Sequence, residues 1–205
     1  MLSTGRIGRA WAANYTTTSR LPLHPSLGEP NDDFPPLDGS LASRLPTPLS
    51  HAAYSFVHGG LAPNYPHLSP FPSTINAIGR SLLRKLQHRK QPPPHPPNPY
   101  PGLPSSTTSR EKELYGSDGP LWYRGWAQDD EENVCREVDA VLEKTGTRRM
   151  IMGHTPNFEV RRISPSAQRR SKVSHSLQEI VSRCNGKIII IDTGKHVICR
   201  SYNIK

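Results

Sequence analysis

The chain has 205 residues, of which 34% are hydrophobic and 22 are prolines, and its formal net charge is +9 at pH 7. This length allows one domain of ordinary size, but so low a hydrophobic content predicts ordered islands joined by loops rather than one continuous core. No apolar run approaches the roughly 20 residues that span a bilayer, so we expect no membrane segment. The basic residues lack the aromatic interleaving of a nucleic-acid surface, which disfavours that partner.

The cysteine pattern gives no sign of a metal motif. Cys135, Cys184 and Cys199 are widely spaced and contain no CxxC pair, so the sequence predicts neither a zinc site nor a disulfide framework. We therefore expect a reducing, cytoplasmic compartment.

The predicted elements of the N-terminal half begin with a short helix around residues 10–13 and a Thr-rich turn. A loop rich in Pro, Gly and Ser follows at residues 21–50, and residues 53–58 are predicted to form a strand. Ser73 is the predicted N-cap of a helix that runs to about Arg89. The apolar side chains that would form its buried face are Ile75, Ile78, Leu82, Leu83 and Leu86.

A proline-rich segment at residues 91–110 separates the two halves of the chain. Eight prolines lie among residues 92–104, and each removes a backbone donor and restricts φ. We expect a disordered insertion there, and such a segment also has the composition of a ligand for an SH3 or WW domain.

The C-terminal half is predicted to alternate strands with helices. A strand at 121–126 carries two tryptophans, and a helix begins at Asp129 or Asp130 and ends at Gly146. The apolar stripe of that helix consists of Val134, Val138, Val141 and Leu142. Further predictions, in chain order, are a strand at 148–152, a loop at 161–175, a helix at 176–184, a turn at Asn185-Gly186 and a buried strand at 188–191. This alternation indicates an α/β fold.

Two histidines follow predicted strands directly. His58 lies in the run FVHGGL at residues 56–61, and His154 lies in MGHTP at residues 152–156. A histidine just past a buried strand points into a crevice, and the neighbouring glycines allow a ligand to approach the backbone closely. Together the two motifs predict a metal site.

These motifs, with IIIIDTG at 188–194 and GPLWYR at 119–124, resemble the C-terminal half of a calcineurin-like metallophosphoesterase. The branch is that of the Shewanella-like, bacterial-type protein phosphatases. The resemblance implies a partial αββα sandwich with long disordered Pro-rich segments, covering residues 1–205. It also implies two divalent metal ions (Mn, Fe or Zn), a phosphorylated substrate of unknown class, and His58 and His154 as metal ligands.

Two further residues have a functional and a structural interpretation. Arg124 either contacts substrate phosphate through its guanidinium fork or is a surface arginine beside packed tryptophans. Asp192 either orients a ligand histidine from the second shell or caps the turn after the last strand.

Three motifs that the resembled family requires are absent: GDxHG, GDxxDRG and GNHE. They supply the bridging Asp, further ligands, a phosphate-binding Arg and the general-acid His. The segment after IDTG, Lys195–Lys205, also departs from the family. We therefore expect a truncated, catalytically incomplete fragment of a phosphoester hydrolase, and whether it is an enzyme stays open. The alternative is a non-catalytic, partly disordered basic protein that binds partners through its polyproline segment.

Overall fold

The computed structural model describes residues 5–35, 51–88, 103–155 and 180–192. These residues form an α/β fold, as predicted. Its elements are α1 (Arg6–Asn14), β1 (Thr18–Pro22), a 3-10 helix (Pro25–Leu27), β2 (Ala53–Val57), α2 (Ser73–His88), α3 (Ser109–Tyr115), α4 (Gly125–Gln128), α5 (Glu131–Thr145), β3 (Arg149–Met152), β4 (Val181–Arg183) and β5 (Ile188–Ile190). No helix in the described ranges is long and apolar enough to cross a membrane.

The five strands form one mixed sheet in the order β1-β2-β3-β5-β4. The three central strands, β2, β3 and β5, are parallel, while β1 and β4 pair antiparallel with them at the two edges. The carboxyl ends of the parallel strands therefore meet at one edge of the sheet, where ligands of open α/β sheets bind.

One face of the sheet carries the core. Side chains alternate along each strand, and Val57, Met150, Met152, Ile188 and Ile190 all point to this face. They pack in one cluster with buried residues of α2 and α5. These two helices therefore cover one side of the sheet.

The opposite face of the sheet, called the open face below, carries both apolar and polar side chains and is less covered. The register places on it the apolar or aromatic Leu21, Tyr54, Phe56, Ile151, Ile189 and Ile191 and the polar Ser19, Arg149 and Ser182. Phe56, Ile151 and Ile189 lie side by side in register and are half-buried. Leu21 is 41% exposed and Ile191 is 50% exposed.

The two long helices confirm the periodicity that predicted them. Ile75, Ile78 and Leu82 are buried on α2, and all four predicted stripe residues are buried on α5. The start of α2 differs from the prediction, since Ser73 is its first helical residue and donates its backbone N–H to Asp33 Oδ1 at 2.9 Å. Gly146 ends α5 with a φ of 59°, as a left-handed cap should.

Three predictions for the N-terminal half are wrong. Residues 18–22 form β1 rather than a turn and loop, because they pair with β2 along their whole length. The predicted loop at 21–50 also contains the 3-10 helix at Pro25–Leu27. The predicted disorder of residues 91–110 fails at its C-terminal end, where Thr108 and Glu111 form a capping box that starts α3. Residues 89–102, with most of the polyproline segment, lie outside the described residues, so its partner stays a prediction.

Two predictions for the C-terminal half are also wrong. Residues 121–126 form no strand, because Trp126 lies in α4, where it is buried and donates Nε1–H to Leu61 O at 2.8 Å. Residues 181–183 belong to β4 instead of a helix, since they pair with β5. The Asn185-Gly186 turn is confirmed by positive φ values of 55° and 82°. The predicted loop at 161–175 and residues 176–179 lie outside the described residues.

Cys135 and Cys184 form a disulfide, which contradicts the prediction of no disulfide framework. The contact arises because the β4–β5 turn folds onto the first turns of α5. Arg183 donates to Glu131 Oε2, and the backbone N–H of Cys184 donates to Glu131 Oε1 at 2.7 Å. A disulfide is typical of oxidising compartments, so the expected cytoplasmic location gains no support from the fold. Cys199 lies outside the described residues.

Candidate functional site

His58 and His154 lie at the carboxyl ends of neighbouring parallel strands. His58 directly follows β2, and His154 is the second residue after β3. Val57 and Met152, the last residues of the two strands, are register partners. The backbone N–H of Gly153 also donates to His58 O at 2.9 Å, which joins the two loops.

The two imidazoles are in direct contact. His58 Nε2 and His154 Nδ1 are 3.0 Å apart, although 96 positions separate the residues in sequence. The predicted meeting of these side chains in one crevice is confirmed. This nitrogen–nitrogen contact is a hydrogen bond when one of the two atoms carries a proton. Two nitrogen ligands of one tetrahedral Zn²⁺ would lie about 3.4 Å apart, so the observed contact is shorter than that arrangement gives.

The loop that carries His58 rests on the segment before α4. Gly59 N donates to Pro120 O at 2.8 Å, and Gly60 N donates to the same oxygen at 3.3 Å. A Cβ at Gly59 would lie 2.8 Å from the backbone of Leu121 and Trp122, so a side chain does not fit there. The glycine beside His58 is therefore required by close backbone approach.

His154 is held in an uncommon backbone conformation. Its φ is 65°, in the left-handed region that non-glycine residues seldom adopt. The Trp122 ring packs edge-on against its imidazole, with ring centroids 4.9 Å apart. Such outliers persist where surrounding contacts fix them, and they cluster at functional sites.

Arg124 and Asp192, the two other predicted site residues, both lie within electrostatic range of His154. Arg124 is exposed, and its Nη1 donates to Thr155 Oγ1 at 3.4 Å. Burial lowers the pKa of His154, the charges of Arg124 and His58 lower it further, and Asp192 opposes them. The result favours the neutral imidazole, which is the form that binds metals.

Asp192 acts on His154 through charge rather than through a hydrogen bond to its ring. The Nε2 atom of His154 is buried and has no hydrogen-bond partner among the described residues. Metal-bound histidines normally donate their second N–H to an acceptor, and no described residue accepts this one.

Among the described residues, no third His, Cys, Asp or Glu side chain lies within ligand reach of both imidazoles. The two imidazole nitrogens supply adjacent ligands, but the described residues supply no bridging carboxylate beside them. In the described part of the chain, the one group of three or more His, Cys, Asp or Glu side chains within ligand reach of one another is Glu131, Cys135 and Cys184. Its two sulfurs are bonded to each other, so this group is not a metal site.

Sequence reasoning singled out His58, His154, Arg124 and Asp192 but missed the side chains that contact them. The contact of Trp122 with His154 had no sequence signal beyond the GPLWYR resemblance. Thr155, which no sequence pattern singled out, is buried, and its Oγ1 accepts a hydrogen bond from Arg124 Nη1.

Comparison with known proteins leaves the family of the chain unassigned. No model of a known protein family matches the chain. An uncharacterised protein of Schizosaccharomyces pombe is 30% identical over 147 residues, which are 72% of this chain and 32% of the relative. The chain thus spans about a third of the length of that relative. A solved structure of a cold-active protein tyrosine phosphatase aligns with 69% of this chain and 31% of its own, at 17% identity and a TM-score of 0.40. A similarity that low carries no argument about fold or function.

Proposed function

We propose that the chain carries the histidine half of the metal centre of a calcineurin-like phosphoester hydrolase and that it is catalytically incomplete. The observation that supports this proposal is the 3.0 Å contact between His58 Nε2 and His154 Nδ1 at the carboxyl edge of the parallel strands. Arg124 and Asp192 both act electrostatically on His154.

The residues of the chain have separate roles in this proposal. His58 and His154 hold one divalent ion, of which Mn, Fe and Zn are the suitable kinds for imidazole nitrogen. Such an ion, when bound, polarises a phosphoryl oxygen and acidifies a bound water. Arg124 binds phosphate oxygens, and Asp192 balances the positive charge near His154.

Two groups that serve phosphoester hydrolysis are missing beside the histidine pair among the described residues. General acid catalysis serves the leaving group, and a bridging carboxylate holds the second ion of a two-metal centre. The described residues provide neither of these groups beside the histidine pair. We therefore expect weak binding of a single ion and no efficient turnover.

Metal binding is tested by titrating the purified chain with Mn²⁺ and with Zn²⁺ in a calorimeter. We expect one weak site per chain that is lost in His154→Ala. The matched control is His67→Ala, because His67 pairs with Glu113 away from the site and its loss should leave binding unchanged. Equal binding by the wild type and His154→Ala would refute the proposed ligand pair.

Turnover is tested with an aryl phosphate and excess Mn²⁺. We expect a rate many orders of magnitude below the ~10 s⁻¹ typical of enzymes. Turnover within about tenfold of that rate, abolished by His154→Ala, would show that the chain is a complete enzyme.

A further inference from the structure

Glu131, Cys135 and Cys184, called the cysteine cluster below, bring three ligand-type side chains together where the β4–β5 turn meets α5. One ligand atom from each residue lies within 4.8 Å of the other two. Glu131 and Cys135 are four positions apart and share one face of α5, while Cys184 comes from the turn. Glu131 is exposed, Cys135 is half-buried and Cys184 is buried. The cluster is therefore open to solvent at its carboxylate.

The spacing of Cys135 and Glu131 suits a shared ion. Cys135 Sγ and Glu131 Oε1 are 3.5 Å apart. A sulfur about 2.3 Å and an oxygen about 2.1 Å from one tetrahedral Zn²⁺ lie about 3.6 Å apart. In the cross-linked chain this sulfur carries no proton, so the contact is not a hydrogen bond. The two atoms thus already have the separation of two ligands.

Arg183 holds the turn on α5 without using either sulfur. Its guanidinium donates to Glu131 Oε2, Trp126 O and Asp129 O, each at 2.6 Å. The backbone N–H of Cys184 also donates to Glu131 Oε1 at 2.7 Å. Because these hydrogen bonds do not involve the disulfide, we expect both cysteines to stay beside Glu131 after reduction.

The carboxylate and the nearby charge also suit a divalent ion. Each carboxylate oxygen has two lone pairs, and Glu131 Oε1 uses one of them for the N–H of Cys184, so the other is left for an ion. Two thiolates and the carboxylate carry three negative charges, which a divalent ion and the guanidinium of Arg183 balance. Thiolate ligands favour Zn²⁺ over Mg²⁺ and Mn²⁺.

The intact disulfide keeps the cysteine cluster from binding an ion. We propose that the reduced chain binds one Zn²⁺ through Cys135 Sγ, Cys184 Sγ and Glu131, and that forming the disulfide expels the ion. The described residues supply these three ligands, and a water molecule completes the tetrahedral shell. Reduction lets the sulfurs separate to the roughly 3.8 Å that two sulfur ligands of one tetrahedral ion require. This site does not depend on the histidine pair or on the proposed function.

The exchange between disulfide and zinc site involves two electrons. A dithiol reductant attacks the disulfide, transfers two electrons and two protons to the cysteine sulfurs, and leaves as a cyclic disulfide. Zn²⁺ then displaces the two thiol protons, which pass to solvent. In the reverse direction, a disulfide oxidant takes two electrons from the zinc-bound thiolates and two protons from solvent and becomes two thiols. The Cys135–Cys184 bond forms again as the ion leaves.

The test titrates the whole chain with Cd²⁺, which replaces Zn²⁺ and gives an ultraviolet charge-transfer band when thiolates bind it. The Cys199→Ser background leaves Cys135 and Cys184 as the two cysteines of the chain. After reduction by a phosphine, we expect a band that saturates at one Cd²⁺ per chain and that Zn²⁺ removes by competition. The oxidised chain should give no band. Absence of the band from the reduced chain would overturn the proposal.

Glu131→Gln and the matched control Glu132→Gln test the third ligand. Glu132 is the next residue on α5, and its side chain is 90% exposed. We expect Glu131→Gln to weaken Cd²⁺ binding by about tenfold or more, because changes at residues that only position a ligand already cost that much and Glu131 is itself a ligand. Glu132→Gln should leave the affinity unchanged. Equal affinities of the two variants would rule out Glu131 as a ligand and overturn the site as proposed.

A second measurement asks whether the ion binds the folded chain. A ligand that binds the folded state in preference to the unfolded state raises stability, so we expect Zn²⁺ to raise the urea midpoint of the reduced chain more than that of the oxidised chain. The histidine pair is present in both forms, so its contribution cancels in this comparison. Equal shifts in the two forms would overturn the proposal. A Cd²⁺ band that is unchanged in His154→Ala would support it, and this result would hold even if the proposed function failed.

Discussion

Glu111 is a buried carboxylate that joins α2 to α3. Its side chain is 2% exposed, and it accepts hydrogen bonds from Lys85 Nζ at 2.7 Å and Ser81 Oγ at 2.6 Å. It also accepts from the backbone N–H of Thr108 at 2.7 Å. Burial alone would raise the pKa of Glu111, but these hydrogen bonds outweigh it and lower the pKa to about 2.

Replacing this carboxylate should destabilise the fold strongly. The lowered pKa of Glu111 corresponds to about 3 kcal/mol of stability at neutral pH, so we expect Glu111→Gln to lower the free energy of unfolding by about that amount. Urea denaturation at pH 7 measures the change. The control Glu113→Gln removes an acid that is 47% exposed and should cost less than about 1 kcal/mol. Equal effects of the two variants would contradict the argument.

The same residue predicts how stability changes in acid. Because the pKa of Glu111 is lower in the folded chain, its contribution is fully present above its ordinary value of 4.5 and is lost as the pH falls towards about 2. The difference in unfolding free energy between wild type and Glu111→Gln should therefore shrink over this range. Denaturation curves for both proteins at pH 7, 4 and 3 test it, and a constant difference is the contrary result.

Gly146, which ends α5, has a backbone conformation and surroundings that disfavour any side chain. Its φ is 59°, and a Cβ there would lie 2.2 Å from the Phe34 ring. We expect Gly146→Ala to lower the free energy of unfolding by about 1–3 kcal/mol. Gly116→Ala is the control, because Gly116 ends α3 with a φ of −73° and has more room for a methyl group. A thermal melt compares the two.

At the scale of elements, the disulfide holds the β4–β5 turn against α5. Cys135 and Cys184 are separated by 49 positions, and closing a loop of that size removes about 4 kcal/mol of unfolded-state entropy in the chain-entropy account. We expect a reducing agent to lower the free energy of unfolding by up to that amount. The double variant Cys135→Ser/Cys184→Ser should show the same loss and no further response to the reducing agent. A wild type whose urea midpoint is insensitive to reduction would argue against the cross-link.

The elements that sequence predicts best are those whose own side chains carry the pattern. Ile75, Ile78 and Leu82 repeat at helical spacing, so α2 was predicted to within two residues of its end. By contrast, β1 has the polar sequence TSRLP and is a strand because it pairs with β2. The short β4 likewise depends on β5. These pairings are tertiary, and no local pattern reports them.

The candidate site likewise has parts that a local sequence pattern predicts and parts that depend on tertiary contacts. His58 and His154 were predicted as partners because each follows a strong apolar strand, and parallel neighbours bring their ends together. The disulfide was not predicted, since it depends on how a turn packs on a helix 49 positions away. The Trp122 contact with His154 also depends on the fold of a segment that was predicted to be a strand.

At the scale of the whole molecule, the open face predicts self-association. Leu21 and Ile191 are exposed on the same face as the half-buried Phe56, Ile151 and Ile189, and exposed apolar side chains on one face promote association. We expect the apparent mass from light scattering to rise with concentration, and to rise less in the double variant Leu21→Lys/Ile191→Lys. Ile7→Lys is the control, because Ile7 is 81% exposed on α1. An equal response to Ile7→Lys would point to general charge repulsion instead.

Because 96 positions separate His58 from His154, the ribosome adds the second histidine well after the first. A ribosome adds about 5–20 residues per second, so β3 emerges about 5–20 seconds after the strand that ends beside His58. Until then, of the two described strands that flank β2, only β1 has been made. The other edge of β2 lacks its partner β3. An unpaired apolar edge of that kind invites capture by other chains. The histidine pair therefore forms late, and this edge of β2 stays open to other chains until it does.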